Sequence, residues 1–316
     1  MTLDAPGPHG GDGNRIATQL GLDARDIIDL SASMNPFAPD VRQLLRDLLH
    51  TDGGNIVGTY PDATAATNAL ALAMGVDPDV LVLTNGGAEA IALLAGVLQS
   101  GNVIQPEFSL YERHLTRIDT AAPRWRSNPS NPLGTLAAPT DDAYVWDEAF
   151  YPIATGAWSR GDTNSWRLGS LTKLWNCPGL RLGYAIAPTA TDATALRNRQ
   201  PQWAVNGLAL ALVAPLLEQT DLQAWSTAIA GLRTSFSEAL ATLGYSVRSS
   251  TANWVLVDAA NLRSRLAPKG IVVRDCASFG MTDVARVAIP RPDQFDRVLQ
   301  GFTDVGESQP GETMGD

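Results

Sequence analysis

Between residues 41 and 199, apolar runs of strand length recur between segments of helical periodicity, and this alternation restricts the chain to few folds. Residues 41–50 and 64–74 carry helical spacing, whereas the short apolar run Val80, Leu81, Val82, Leu83 reads as a buried strand. Residues 87–98 are helical again and 102–104 strand-like, and further strand-like runs follow at 143–146, near 166–168 and at 182–186. Strands separated by crossing helices pair in parallel, so the expected class is α/β, a mostly parallel central sheet with helices on both faces. After Pro201 the texture changes. A helical stretch over 205–243, with candidate breaks at Thr220 and Gly231, precedes strand-like runs at 254–257, 270–273 and 285–289, which predicts a smaller α+β domain. Residues 1–40 read as an N-terminal arm with one short strand at 27–30 that forms part of the small domain. The large domain is expected over 41–200, the small domain over 201–305, and a disordered tail over 306–316, whose Gly, Glu, Ser and Pro offer nothing to bury.

Composition narrows the function. Hydrophobic residues at 45% and charged ones at 18% suit a globular protein, and no apolar run approaches the ~18 residues of a membrane span. The net charge of -10 disfavours nucleic acid and anionic membranes as partners, since both reward a positive field. A small anionic substrate remains compatible, because local arginines outweigh distant, screened charge. Cys177 and Cys276 are too few and too far apart for a disulfide framework or a thiolate metal site, and no metal is expected. The opening residues lack the basic and apolar regions of a secretory signal, so the expected location is cytoplasmic.

The chemistry concentrates at Ser170-Leu171-Thr172-Lys173, followed by Pro178-Gly179-Leu180-Arg181-Leu182-Gly183-Tyr184. A lysine between two strands, with hydroxyls before it and an arginine after it, suits a phosphorylated aldehyde cofactor. The amine forms the imine, and Ser170, Thr172 and Arg181 donate to the phosphate. Two other readings fit these residues alone: a solvated surface lysine, and the S-x-x-K signature of serine acyl-transferring enzymes. The partner strings of the latter, Ser-Asp-Asn and Lys-Thr-Gly, do not occur in the chain.

Further segments fit the cofactor reading in a consistent order. Thr84-Asn85-Gly86-Gly87-Ala88-Glu89 lies between a strand and a helix, where backbone N–H groups at the helix start can hold an anion. Gln105-Pro106-Glu107-Phe108-Ser109-Leu110-Tyr111, Asn128-Pro129-Ser130-Asn131-Pro132-Leu133-Gly134 and Trp146-Asp147-Glu148-Ala149-Phe150 follow, with Tyr60-Pro61-Asp62 earlier in the chain. Together these segments resemble the fold-type I pyridoxal phosphate enzymes, specifically the branch of histidinol-phosphate aminotransferases and threonine-phosphate decarboxylases, over most of the chain from His9 to about Ile289. The resemblance implies pyridoxal 5'-phosphate bound to Lys173, a phosphate cup at Gly87 and Ala88, and Tyr111 stacked on the pyridine face. It also implies Asn131 on the 3-hydroxyl, Asp147 on the ring nitrogen, and Tyr60 reaching from one subunit of a homodimer to the cofactor phosphate of the other. Ser130 and Leu133 depart from the family's Asn-Asn-Pro-Thr-Gly turn.

The ends of the chain bear on substrate. His9-Gly10-Gly11 and Ser31-Ala32-Ser33-Met34-Asn35-Pro36 resemble the decarboxylase branch, in which the His and Asn contact the substrate phosphate. Arg274 and Arg286 match two anion-binding arginines, which hold the substrate carboxylate in the decarboxylases and a phosphate in the aminotransferases. The resemblance therefore implies decarboxylation of O-phosphothreonine to aminopropanol phosphate, a building block of the cobalamin side chain. The alternatives are a phosphate-recognising aminotransferase and a non-catalytic binding module. Only residues 112–130 and 132–146 separate Tyr111, Asn131 and Asp147, so the large domain is expected to be trimmed there relative to similar enzymes.

Overall fold

The computed structural model describes residue 7 and residues 9–52 and 54–306. The chain groups into two compact units, one of residues 37–228 and one of residues 1–36 with 229–316. The residues after Gly306, where a disordered tail is expected, lie outside those described.

The smaller unit opens the chain with α1 (Gly13–Leu20) and β1 (Ile28–Asp29). The larger unit follows with α2 (Val41–Asp52), α3 (Thr64–Met74), β2 (Leu81–Thr84), α4 (Gly87–Leu98) and β3 (Ser100–Val103). Next come α5 (Leu110–His114), β4 (Arg117–Ile118), β5 (Arg124–Ser127), β6 (Val145–Asp147), α6 (Tyr151–Thr155) and β7 (Trp166–Gly169). Short α7 (Leu171–Leu174) leads to β8 (Gly183–Ile186), α8 (Ala190–Arg197) and α9 (Gly207–Glu218). The unit boundary falls within α10 (Leu222–Thr242), and the smaller unit resumes with β9 (Ser246–Arg248), β10 (Trp254–Asp258) and α11 (Leu262–Leu266). It ends with β11 (Ile271–Val272), β12 (Arg274–Asp275), β13 (Val284–Ala288) and α12 (Phe295–Gly306).

The larger unit holds a seven-stranded sheet in the order β2-β8-β7-β6-β5-β3-β4. Strands β3 to β7 pair in parallel, and β8 alone runs antiparallel, to both β2 and β7. This is the mostly parallel α/β sheet that the alternation predicts. Strand β8 reverses because the chain reaches it from β7 through a short helix that makes no crossover. One edge of the sheet therefore gathers the ends of β2, β5, β6 and β7 (Thr84, Ser127, Asp147 and Gly169) with the start of β8 at Gly183, the edge at which open α/β sheets bind ligands. Helix α4 buries Ala90, Ile91, Leu94 and Ala95, a helical repeat, in a core with Val82, Trp125, Val145, Trp166, Leu168 and Ala185.

Three differences from the sequence expectation have simple causes. Residues 201–228 group with the larger unit, not the smaller, because α9 packs on α2 and α3. Strands β4, β5 and β9 carry no apolar run: in β5 only Trp125 and Ser127 point inward, between the half-buried Arg124 and Arg126. The helical stretch breaks near Thr220 but passes through Gly231, where burial of Ile229, Phe236 and Leu240 outweighs the ~1 kcal/mol that glycine costs a helix relative to alanine.

In the smaller unit, the antiparallel sheet β12-β13-β10-β9 and the parallel pair β1-β11 surround a core that includes Phe236, Val255, Ile271, Val287 and Phe302. Among the described residues no helix is long and apolar enough to cross a membrane, and no cluster of His, Cys, Asp and Glu is arranged to hold a metal.

Candidate active site

At the ligand edge of the large sheet, three glycines let backbone and side chains approach closely. Gly86 caps α4 at a φ of 77°, and a Cβ there would lie 2.6 Å from a guanidinium nitrogen of Arg181. A Cβ on Gly183 would lie 2.5 Å from the Gly87 nitrogen, and one on Gly87 would touch the Ser170 Cβ at 3.4 Å. Gly87, Ala88, Ser170 and Arg181 are thus brought to one cradle at the N-terminus of the 12-residue helix α4, where free N–H groups favour an anion. The Glu89 carboxylate accepts the Asn85 N–H at 2.7 Å and the Gln200 side-chain amide at 3.0 Å, which fastens the cradle from behind.

Lys173 stands half-buried on α7, with Ser170 as that helix's N-cap residue. Thr172, expected to donate to a phosphate, instead hydrogen-bonds its hydroxyl to the Leu182 carbonyl at 3.2 Å and accepts the Leu182 N–H at 3.3 Å. In this arrangement it locks α7 to the start of β8, because its side chain is buried on the strand side.

Asp147 ends β6. Its Oδ2 accepts the Tyr111 hydroxyl at 2.7 Å and its Oδ1 the Ala149 N–H at 3.0 Å. Loss of solvation pushes its carboxyl above the ordinary aspartate value, and the two donors pull against that. Tyr111 is fully buried at 0% exposure, tilted against Trp125 at 5.7 Å and edge-on to Phe108 at 5.9 Å. Burial and the charges of Asp147 and Glu107 hold its phenol neutral, a permanent donor to Asp147. The structure thus ties the residue expected to stack on a ring to the carboxylate expected to meet the ring nitrogen. The half-buried aromatic of the same loop is Phe108. The Asn131 N–H donates to Ser127 Oγ at 2.8 Å, and Ser127 stands opposite Asp147 in the β5–β6 ladder, so Asn131 and Asp147 are neighbours.

Sequence reasoning passed over two buried acids beside this group. Burial pushes Glu107 up to about 7, helped by the charge of Asp147. Glu148, 0% exposed, is likewise raised to about 7 by burial while it accepts the Arg160 N–H at 2.8 Å. The available signal was a charged residue within an otherwise apolar turn or strand end.

Tyr60 lies elsewhere on the larger unit, 76% exposed and stacked on the exposed Trp203 with centroids 4.3 Å apart. The pair lines a surface cavity of about 570 Å³ formed by residues 60–63 and 200–205 with Leu83, Arg197 and Leu210.

The smaller unit gathers the remaining expected residues. Arg274 and Arg286 face each other across β12 and β13. The Arg274 guanidinium donates to the Gly7 carbonyl at 2.6 Å and to the Ser278 hydroxyl at 2.6 Å, and that of Arg286 donates to the Ser31 carbonyl at 3.0 Å and lies over Trp254. Burial lowers Arg286 to about 10 and Arg274 in the same direction. The arm bearing His9 is fastened alongside: Gly11 N–H donates to Ser31 Oγ at 2.8 Å, and a Cβ on Gly10 would strike the Ser31 carbonyl oxygen at 2.2 Å. Asn253 donates to the carbonyls of Ser33 and Met34 at 2.8 and 3.1 Å and so holds the segment of the buried Asn35.

A glycine-built anion cradle, a neighbouring half-buried lysine and a desolvated carboxylate with a fixed donor fit a phosphorylated, cationic heteroaromatic cofactor, because each end of it finds an opposite charge. Comparison with known proteins agrees. Residues 125–302, more than half of the chain, match the family described as aminotransferase class I and II. The chain is 28% identical to histidinol-phosphate aminotransferase 1 of Thiobacillus denitrificans, covering 94% of this chain and 90% of that protein. It is 29% identical to threonine-phosphate decarboxylase of Salmonella typhimurium, covering 94% and 96%. Its fold matches histidinol-phosphate aminotransferase from Sinorhizobium meliloti, solved in complex with pyridoxal 5'-phosphate, with a TM-score of 0.78 over 97% of this chain and 96% of that one at 19% identity. The chain belongs to the aminotransferase class I and II family, whose members work with pyridoxal 5'-phosphate.

Proposed function

We propose that this enzyme decarboxylates a phosphorylated amino acid, L-threonine O-3-phosphate, to aminopropanol phosphate for cobalamin biosynthesis. The observation that carries this reading is the docking of the His9-Gly10-Gly11 arm onto the segment whose Ser31 carbonyl Arg286 holds, with Arg274 gripping the arm at Gly7. A phosphate contact from the arm and a carboxylate contact from the arginines suit a substrate with an anion at each end.

In this reading Lys173 holds the cofactor, the cradle of Gly87, Ala88, Ser170 and Arg181 takes its phosphate, and Asn131 and Asp147 take the ring's 3-hydroxyl and nitrogen. Thr172 serves by holding α7 in place, and the 105–111 loop covers the ring with Phe108 or Tyr111. The bound cofactor supplies an electron sink for the carbon that loses carbon dioxide. Asp147, kept in place by Tyr111, holds a proton on the ring nitrogen. Arg274 and Arg286 orient the substrate carboxylate, with guanidinium forks suited to that planar group. His9 and Asn35 contact the substrate phosphate, and Lys173 returns a proton to the substrate carbon.

The enzyme acts in the cytoplasm as a homodimer in which Tyr60 reaches the partner's cofactor. Supporting this, Tyr60, Val57 and Leu72 are 76%, 73% and 84% exposed on one unit, and α2 buries none of its leucines. A histidinol-phosphate aminotransferase has equal support from sequence similarity, and the two arginines would then take the phosphate. Purified enzyme is to be incubated with O-phosphothreonine, and separately with histidinol phosphate and 2-oxoglutarate. Carbon dioxide release from the first is expected, and glutamate from the second without carbon dioxide from the first would replace the decarboxylase by the aminotransferase.

A further inference from the structure

Glu107 is a buried acid for which the reaction has no evident use. It lies between β3 and α5 at 5% exposure, where its carboxylate accepts both the N–H of Ser127 at 3.1 Å and that residue's hydroxyl. The same hydroxyl oxygen accepts the Asn131 N–H at 2.8 Å. Ser127 pairs with Asp147 across the β5–β6 ladder, and the Asp147 carbonyl accepts the Asn128 N–H at 2.8 Å. One acid thus governs, through a single serine, both the turn that carries Asn131 and the strand end that carries Asp147.

The groups facing Glu107 are Ser127 from β5, Tyr111 from α5, Asp147 from β6 and the Phe108 N–H of its own loop. Its neighbours therefore offer neutral donors and a second negative charge. Two carboxylates in one buried cluster do not both ionise without cost, and a cation placed against one of them relieves the other. Ionised Glu107 keeps the Ser127 hydroxyl as a donor and leaves its lone pairs for Asn131. A protonated Glu107 competes as a donor and loosens that orientation.

We propose that Glu107 is a positioning residue for the Asn131–Asp147 pair and that it releases its proton to solvent when the cationic cofactor ring binds against Asp147. This rests on the assignment of that pair to the ring, made above.

The test uses full-length protein freed of cofactor and then titrated with pyridoxal 5'-phosphate in weak buffer near neutral pH. Cofactor affinity and proton release are followed together. In wild type, affinity is expected to tighten as pH rises through neutrality, with protons released on binding. Glu107→Gln, which imitates the protonated acid at every pH, is expected to lose that part of the proton release and to flatten the affinity profile. Its dissociation constant on the alkaline side should rise about tenfold. Glu107→Gln with the wild-type profile and the wild-type proton release overturns the proposal while leaving the cofactor site intact. Wild-type protein that takes up no cofactor overturns both. Should Glu107→Gln fail to fold, Ser127→Ala cuts the same link: weakened cofactor binding with altered proton release supports the proposal, and unchanged binding and release refute it.

Discussion

The carboxylates of the larger unit and the guanidinium groups of the smaller one are displaced in opposite directions by one cause, the loss of water. Burial raises Asp147, Glu107 and Glu148, the last two to about 7, and lowers Arg274 and Arg286, the latter to about 10. In each case burial disfavours the charged form, so an opposite charge brought by a ligand would relieve the carboxylates of the larger unit and the guanidinium groups of the smaller one. A fold selected for stability alone would place leucines at these positions, since replacing buried charges by apolar groups is often neutral or stabilising. The opposition therefore marks where ligand groups of each sign belong.

The largest expected break removes the nucleophile of the larger unit. Lys173→Ala should lower turnover by about 10²- to 10⁴-fold, the range for a lost proton-transfer group, and abolish the visible band of the covalently held cofactor, as read by absorbance. Arg286→Gln attacks the anion side alone. It should raise KM for the phosphorylated substrate about ten- to hundredfold while the cofactor band stays unchanged, in keeping with the ~1.5–3 kcal/mol of a hydrogen bond to a charged group.

Glu148→Gln sharpens the acid side through stability. Because the folded-state value lies near 7, above the ordinary carboxylate value of 4.5, the fold holds a proton that the unfolded chain gives up. That contribution is complete below the unfolded value and disappears as pH rises through about 7, with an upper limit of about 3 kcal/mol. Melting of cofactor-free protein should thus show Glu148→Gln more stable relative to wild type at about pH 8 than at about pH 5. The smallest effect is expected from Tyr111→Phe, which removes the 2.7 Å bond to Asp147. A loss of roughly 1–2 kcal/mol, about five- to thirtyfold in cofactor affinity, would fit a donor. No loss would return Tyr111 to ordinary packing, and Phe108→Leu would then test the half-buried ring beside it.

The two sheets were legible because β2, β7, β8 and β13 are mostly apolar runs buried on both faces, with Arg167 and Arg286 as their charged members. Strand β5 escaped because its pattern, Arg124-Trp125-Arg126-Ser127, shows one apolar residue in four. It enters the sheet by pairing with β3 and β6. Between Tyr111 and Asp147 the chain forms β4 and β5 of the seven-stranded sheet, and residues 128–144 join β5 to β6 without a helix or strand. Among the site residues, the cradle at Gly86 and Gly87 could be read from the strand–turn–helix order. The engagement of Thr172 with Leu182 and of Tyr111 with Asp147 could not, since both depend on which way a hydroxyl points once β8 and α5 are packed. Glu107 shows the same limit: nothing in a Pro-Glu-Phe string announces that the acid will be sealed from water beside Asp147.

Gly169, just before the lysine-bearing helix, carries a consequence for how such a chain can change. A Cβ there would lie 2.1 Å from the ring of Tyr184 on the adjacent strand, whose phenol burial pushes far up. The two positions therefore form a single inherited choice: a methyl group at 169 becomes admissible only after the ring at 184 has shrunk. The two residues pair across β7 and β8 and compete for one volume, so the glycine is the counterpart of the ring and not a spare position.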